Sequence, residues 1–171
     1  MLGVCLGCQI VPPNQGERMT FEEWEEAATA EMRLDRLWRM RAYRLACYLS
    51  DVGRGDAAIL AQEPLTRESA GQLFQAIGSI RANLAEGYSR SAGKDRARIF
   101  EYGLGSARES REWYRHTKVA LGSTCVSERC SVLEEIIRLL LAIIPRERSR
   151  KIDRDPRQLP KVRSPTATTR K

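Results

Sequence analysis

Apolar and polar positions along this chain repeat with a helical period, and no stretch shows the strict alternation of a half-buried strand. Four segments carry the pattern. The first, over 21–51, places Leu34, Leu37, Trp38, the stem of Arg41, Leu45, Tyr48, Leu49 and Val52 on one face. Thr20 is its candidate N-cap, with acids in the first turn, and Gly53-Arg54-Gly55-Asp56 is its expected stop. Residues 57–63 read equally as loop or as one helical turn. The second segment, 67–87, buries Ser69, Leu73, Ala76, Ile77, Ile80 and Leu84, with Gly87 at the position of a left-handed C-cap. A turn follows over 89–93, where Ser91 or Gly93 would cap the next helix.

The third segment, 94–121, repeats Phe100, Gly103, Ala107, Ser110, Tyr114, Thr117 and Leu121 in alternating steps of three and four. This heptad seam is made mostly of small residues. A glycine inside a helix costs about 1 kcal/mol relative to alanine, so close approach of a neighbouring helix is the expected compensation. Ile99 and Trp113 lie off this seam and need another surface to cover them. The fourth segment, 125–144, carries Val132, Leu133, Ile136, Ile137, Leu140, Leu141, Ile143 and Ile144, a set wider than one stripe. Ser123 or Thr124 is its candidate cap, and Pro145 its expected end. Four helices with short connections predict an all-α, antiparallel up-down-up-down four-helix bundle over 19–144. Residues 1–18 read as a disordered leader, which would lie upstream of the true start if Met19 is the initiator. Residues 145–171 read as a disordered basic tail.

Charge changes this picture more than composition does. The net charge of +7 lies wholly in 145–171, where ten Lys/Arg meet three acids, while the rest of the chain holds nineteen of each sign. The tail, including Arg146, Arg148, Arg150 and Lys151, is therefore a candidate for binding a phosphate backbone by counterion release. A solubilising tail without a target is the plain alternative. Arg108, Arg111, Arg115 and Lys118 follow steps of three, four and three and form a second basic stripe, but Glu101, Glu109 and Glu112 beside them suit a solvated, ion-paired face. The longest apolar stretch, 136–144, is too short to span a bilayer and contains Arg138.

Five cysteines and no secretory signal point to reduced thiols in a cytoplasm. Cys5-x-x-Cys8 has metal-ligand spacing, but Cys125 and Cys130 complete it poorly, and no metal or cofactor is expected. Cys47 reads as a small core residue. A single histidine, His116, makes no general-base constellation, and the GYSRSAGK stretch at 87–94 lacks the spacing of a phosphate loop. No catalytic residues are expected, and the chain reads as a non-enzyme.

Within the central stretch stand Gln72, Ala76, Ser79, Ile80, Asn83, Ala85, Glu86, Gly87 and Arg90, then Arg98, Gly105, Ser106 and Glu109, with Leu37-Trp38 upstream. This run resembles the four-helix bundle proteins named for intervening sequences in bacterial 23S ribosomal RNA genes, over roughly 34–121. Arg81 stands where that family has proline, Leu84 where it has isoleucine and Gly103 where alanine is usual; the 53–64 connection and the tail also depart from it. The resemblance implies a ring-shaped homopentamer. It also implies kinship with the accessory protein of diversity-generating retroelements, which associates with a reverse transcriptase and with nucleic acid. Asn83, Glu86 and Arg90, at i, i+3 and i+7, read either as an anion or RNA contact or, more simply, as polar groups that lock the turn. The function expected from the sequence is a non-enzymatic oligomeric scaffold that engages RNA or DNA, or a nucleic-acid enzyme. The alternative is a purely structural or protein-binding module.

Overall fold

The computed structural model describes residues 19–150. All regular structure among them is helical: α1 (Phe21–Glu26), α2 (Ala30–Leu34), a 3-10 turn (Arg36–Arg39), α3 (Arg41–Gln62), α4 (Arg67–Ser89), α5 (Gly93–His116), α6 (Lys118–Leu121) and α7 (Ser123–Ser149). The four long helices pack in pairs, α3 on α4, α4 on α5, α5 on α7, and α7 back on α3 by the smallest of these interfaces. The core lies between them and is built of Leu45, Leu49, Leu60, Leu73, Ile77, Ile80, Leu84, Phe100, Leu133, Ile136 and Leu140, each at most 2% exposed.

The heptad seam holds along its whole length. Phe100, Gly103, Ala107, Ser110, Tyr114, Thr117 and Leu121 are all buried. A Cβ at Gly103 would meet Asn83 and Leu84 at 3.5 and 3.8 Å, ordinary contact, whereas one at Gly87 would lie 2.6 Å from the Phe100 ring. Gly87 is therefore the true point of close approach between α4 and α5. It is not the left-handed cap expected of it, because α4 continues through it to Ser89 and the one positive φ among the described residues is at Gly122. No side chain caps α5, whose first residue is Gly93. The seam helix also breaks at Thr117, whose hydroxyl donates to the carbonyls of Trp113 at 2.9 Å and Tyr114 at 3.3 Å.

Three further expectations fail for physical reasons. The region 21–51 is not one helix. Thr29 Oγ accepts from the Met32 amide at 3.3 Å and Asp35 Oδ1 from the Leu37 amide at 2.9 Å, so local side-chain caps restart the chain twice. The resulting strap folds over α3 and stacks Trp24 on Trp38, with ring centroids 5.8 Å apart. Leu34, assigned to the buried face, is 84% exposed in consequence. Second, Gly53-Arg54-Gly55-Asp56 does not stop a helix, since α3 runs through it to Gln62. Third, α7 does not end at Pro145 but carries it internally and continues to Ser149. The expected leader and all but the first six residues of the expected tail lie outside the described residues.

Candidate functional site

Two polar constellations stand out, one inside the core and one at an end. The inner one centres on Asp56, which α3 presents because the helix continues past Gly53. Asp56 Oδ2 accepts from Tyr114 Oη on α5 at 2.8 Å and from Arg129 Nε on α7 at 2.8 Å. Cys125 Sγ lies 3.6 Å from Oδ1. Asp56 and Arg129 are each only 6% exposed and Tyr114 is sealed. Burial, followed by the Asp56 charge beside it, raises the Tyr114 phenol far above its ordinary range, so it stays a hydrogen-bond donor. Burial works against the Arg129 charge, but the hydrogen bond and charge of Asp56 outweigh it and the guanidinium remains protonated. Gly53 makes the approach possible: a Cβ there would sit 2.7 Å from Ile77 Cδ1 and 3.3 Å from Tyr114 Oη. Asp56 thus joins side chains of α3, α5 and α7 in one buried cluster. Its chemistry is that of a registry lock between three helices.

The outer constellation lies where the α4–α5 hairpin meets the end of α7. Arg96 donates to Glu147 Oε2 at 2.9 Å and to the Arg90 carbonyl at 2.6 Å, tying the turn to both neighbours. A Cβ at Gly93 would strike the Glu147 carbonyl oxygen and lie 2.9 Å from that of Arg150. Arg148 pairs with Glu101 and Arg150 with Glu147 at 3.7 Å. Gly93→Val is therefore expected to unlatch the end of α7, costing about 1–3 kcal/mol as an overpacking change. A chemical-denaturation curve measures the loss, and a cost below a few tenths would contradict it.

The structure distributes the residues expected from the sequence as follows. Along the α5 stripe, Arg115 pairs with Glu112 at 2.9 Å and Glu134 at 3.8 Å, and Arg111 lies 3.4 Å from Glu112. Arg108 and Lys118 are exposed and have no carboxylate partner among the described residues, and Lys118 sits beyond the Thr117 break on α6. The stripe is thus half neutralised, in part by α7. Burial pushes the Cys130 thiol up, and the nearby Arg115 and Arg111 offset this in part. Arg146 and Arg148 ride on the last turn of α7 and Arg150 is its C-cap, while Lys151, Cys5 and Cys8 lie outside the described residues.

Of the family-like motif, Asn83 Nδ2 donates to the Ser79 carbonyl at 2.7 Å and Glu86 pairs with Arg90, so these groups bond within their own helix and the turn. Gln72 and Gly105 are exposed, Ser106 donates to the Tyr102 carbonyl at 3.1 Å, and Glu109 accepts from Trp113 Nε1 at 3.5 Å. His116 stands edge-on to Trp113. Among the described residues there is no cluster of three or more His, Cys, Asp or Glu placed to hold a metal, and no helix long and apolar enough to cross a membrane.

Sequence reasoning missed Asp56 and Arg129. A signal existed: Asp56 continues the buried Leu45, Leu49, Gly53 spacing toward Leu60, and Arg129 continues Cys125 toward Leu133 and Ile136, so each is a charge inside an apolar period. No protein family, curated protein or solved structure matches the chain. The class that fold and site define is an all-helical protein with a buried ionic lock.

Proposed function

We propose that α3, α4, α5 and α7 form an antiparallel up-down-up-down four-helix bundle, and that the protein is a non-enzymatic, self-associating scaffold that engages nucleic acid or an enzyme acting on it. The bundle is supported by the order of cross-helix contacts. Gly87 meets Phe100 where Gly103 meets Asn83, and Arg115 meets Glu134 where Arg96 meets Glu147, each pair running in opposite directions. The scaffold reading rests on the burial of the Asp56 centre, whose carboxylate is engaged by Tyr114 and Arg129 of neighbouring helices.

The single observation that carries the nucleic-acid reading is the placement of charge. Residues 19–150 nearly balance, with 21 Lys/Arg against 19 acids, whereas 151–171 hold seven against two. Such a segment gains affinity by releasing counterions from a phosphate backbone. Self-association is supported by apolar groups that the chain leaves outside: Phe74 and Leu141 are 47% and 50% exposed. The resemblance of the central stretch to the rRNA intervening-sequence proteins supplies the pentameric ring and the reverse-transcriptase partner. Cys47, Cys125 and Cys130 form no disulfide, which suits a cytoplasmic location.

Two measurements test this reading. Affinity for RNA or DNA should fall steeply as salt rises and weaken on deletion of 151–171; absence of binding at low salt removes the nucleic-acid role. Light scattering should report an oligomer at micromolar concentration, and a monomer there refutes the ring.

A further inference from the structure

The end of the molecule formed by the α4–α5 turn and the close of α7 is basic and carries exposed aromatics. Over 86–102 and 143–150 there are seven Lys/Arg (90, 94, 96, 98, 146, 148, 150) against four acids (86, 95, 101, 147). The remainder of the described chain holds fourteen against fifteen. The two stretches are one surface, because Arg96 bonds Glu147 and the Arg90 carbonyl while Arg148 bonds Glu101. All four acids of this surface are not equal partners: Glu86, Glu101 and Glu147 are taken by Arg90, Arg148, Arg96 and Arg150, which leaves Lys94, Arg98 and Arg146 with no carboxylate partner among the described residues. Tyr88, on the last turn of α4, is 37% exposed, and Tyr102 on α5 is 52% exposed. The Arg98 guanidinium lies over the Tyr102 ring at 5.9 Å, and its Nη1 is 3.5 Å from the phenol oxygen.

We propose that this end, comprising the α4–α5 turn, the first turns of α5 and the last turns of α7, is an interface for single-stranded nucleic acid. The inference rests on the nucleic-acid reading above and adds the surface and the type of strand. Unpaired cations meet the phosphates, and the two tyrosines offer faces on which unstacked bases rest. Base–aromatic stacking needs a base free of its duplex neighbours, so these rings contribute to binding a single strand and not a paired one. The α5 stripe is a poorer candidate, since Glu112 and Glu134 already occupy Arg115.

Fluorescence anisotropy on the full chain tests the proposal. The probes are a labelled thymidine oligonucleotide of about twenty nucleotides, longer than the ~4–16 nucleotides that such stacking sites occupy, and a mixed-sequence duplex of equal length. Tyr102→Ala is expected to weaken single-strand binding roughly tenfold and leave duplex binding unchanged. Tyr102→Trp should restore the single-strand affinity, and Tyr88→Ala should act in the same direction. Lys94→Glu with Arg98→Glu should weaken both probes and flatten the salt dependence. If the wild type binds single strands but the tyrosine variants, shown folded by circular dichroism, bind as well as it does, the interface is wrong while the nucleic-acid role stands. Tighter binding of the duplex has the same consequence. If neither probe binds at low salt, both readings fall together.

Discussion

Replacing Asp56 by alanine is expected to destabilise the protein by about 3–5 kcal/mol, because it leaves the Arg129 guanidinium buried without its counter-charge. Domains of this kind are stable by only ~5–15 kcal/mol, so a large fraction of the folding free energy would go. The double variant Asp56→Leu with Arg129→Met should recover most of the loss, since apolar side chains of similar size remove the desolvation cost of both ions together. Tyr114→Phe, which deletes one donor but leaves the ion pair, should cost nearer 1 kcal/mol. Urea denaturation of the set gives the answer. A single-variant loss below about 1 kcal/mol would mean that water or a rearranged side chain reaches Arg129 and that the centre is not closed.

The second large effect is expected at Trp24, in the strap that crosses α3. Its ring is 1% exposed, stacks on Trp38, and meets Phe21 and Tyr48 at 6.2 and 6.0 Å between centroids. Its Nε1 donates to Asp51 Oδ2 at 2.8 Å. Burial raises the Asp51 carboxyl, and the indole hydrogen bond opposes that rise by favouring the charged form. Trp24→Ala should cost about 3–5 kcal/mol, as large aromatic truncations in cores do. The loss should be local first. Arg33, Arg36 and Arg39 are exposed in the strap, so trypsin should cut there faster in the variant, under conditions where α3–α7 still resist. Cleavage at the wild-type rate would show that Trp24 does not anchor the strap.

These two anchors mark where the sequence could be read and where it could not. The small-residue seam from Phe100 to Leu121 was legible because one helix face repeats with a fixed period and needs no partner to be recognised. The apolar set of α4 was legible for the same reason. The break at Asp35 was not, because a short side chain that bonds its own backbone outweighs a modest apolar period. The passage of α3 through two glycines was not, because propensity argues for a stop and only the approach of Ile77 and Tyr114 explains the continuation at Gly53. On the stripe from Arg108 to Lys118 the acids of the same helix could be weighed from spacing, but Glu134 comes from α7 and is invisible to any reading confined to one helix. The ionic lock needs three helices brought together, so Asp56 read only as part of a helix stop.

Pro145 bears on how the chain leaves the body. A proline has no amide hydrogen, so the Leu141 carbonyl lacks its usual partner one turn later and the ladder of α7 is interrupted there. The final turn is also held from outside, by the close approach of Gly93 and the Arg96–Glu147 bond of α5. In hydrogen–deuterium exchange the amides of 146–149 should behave as a separate unit, opening with the hairpin turn, while those of 133–144 open only with the whole domain.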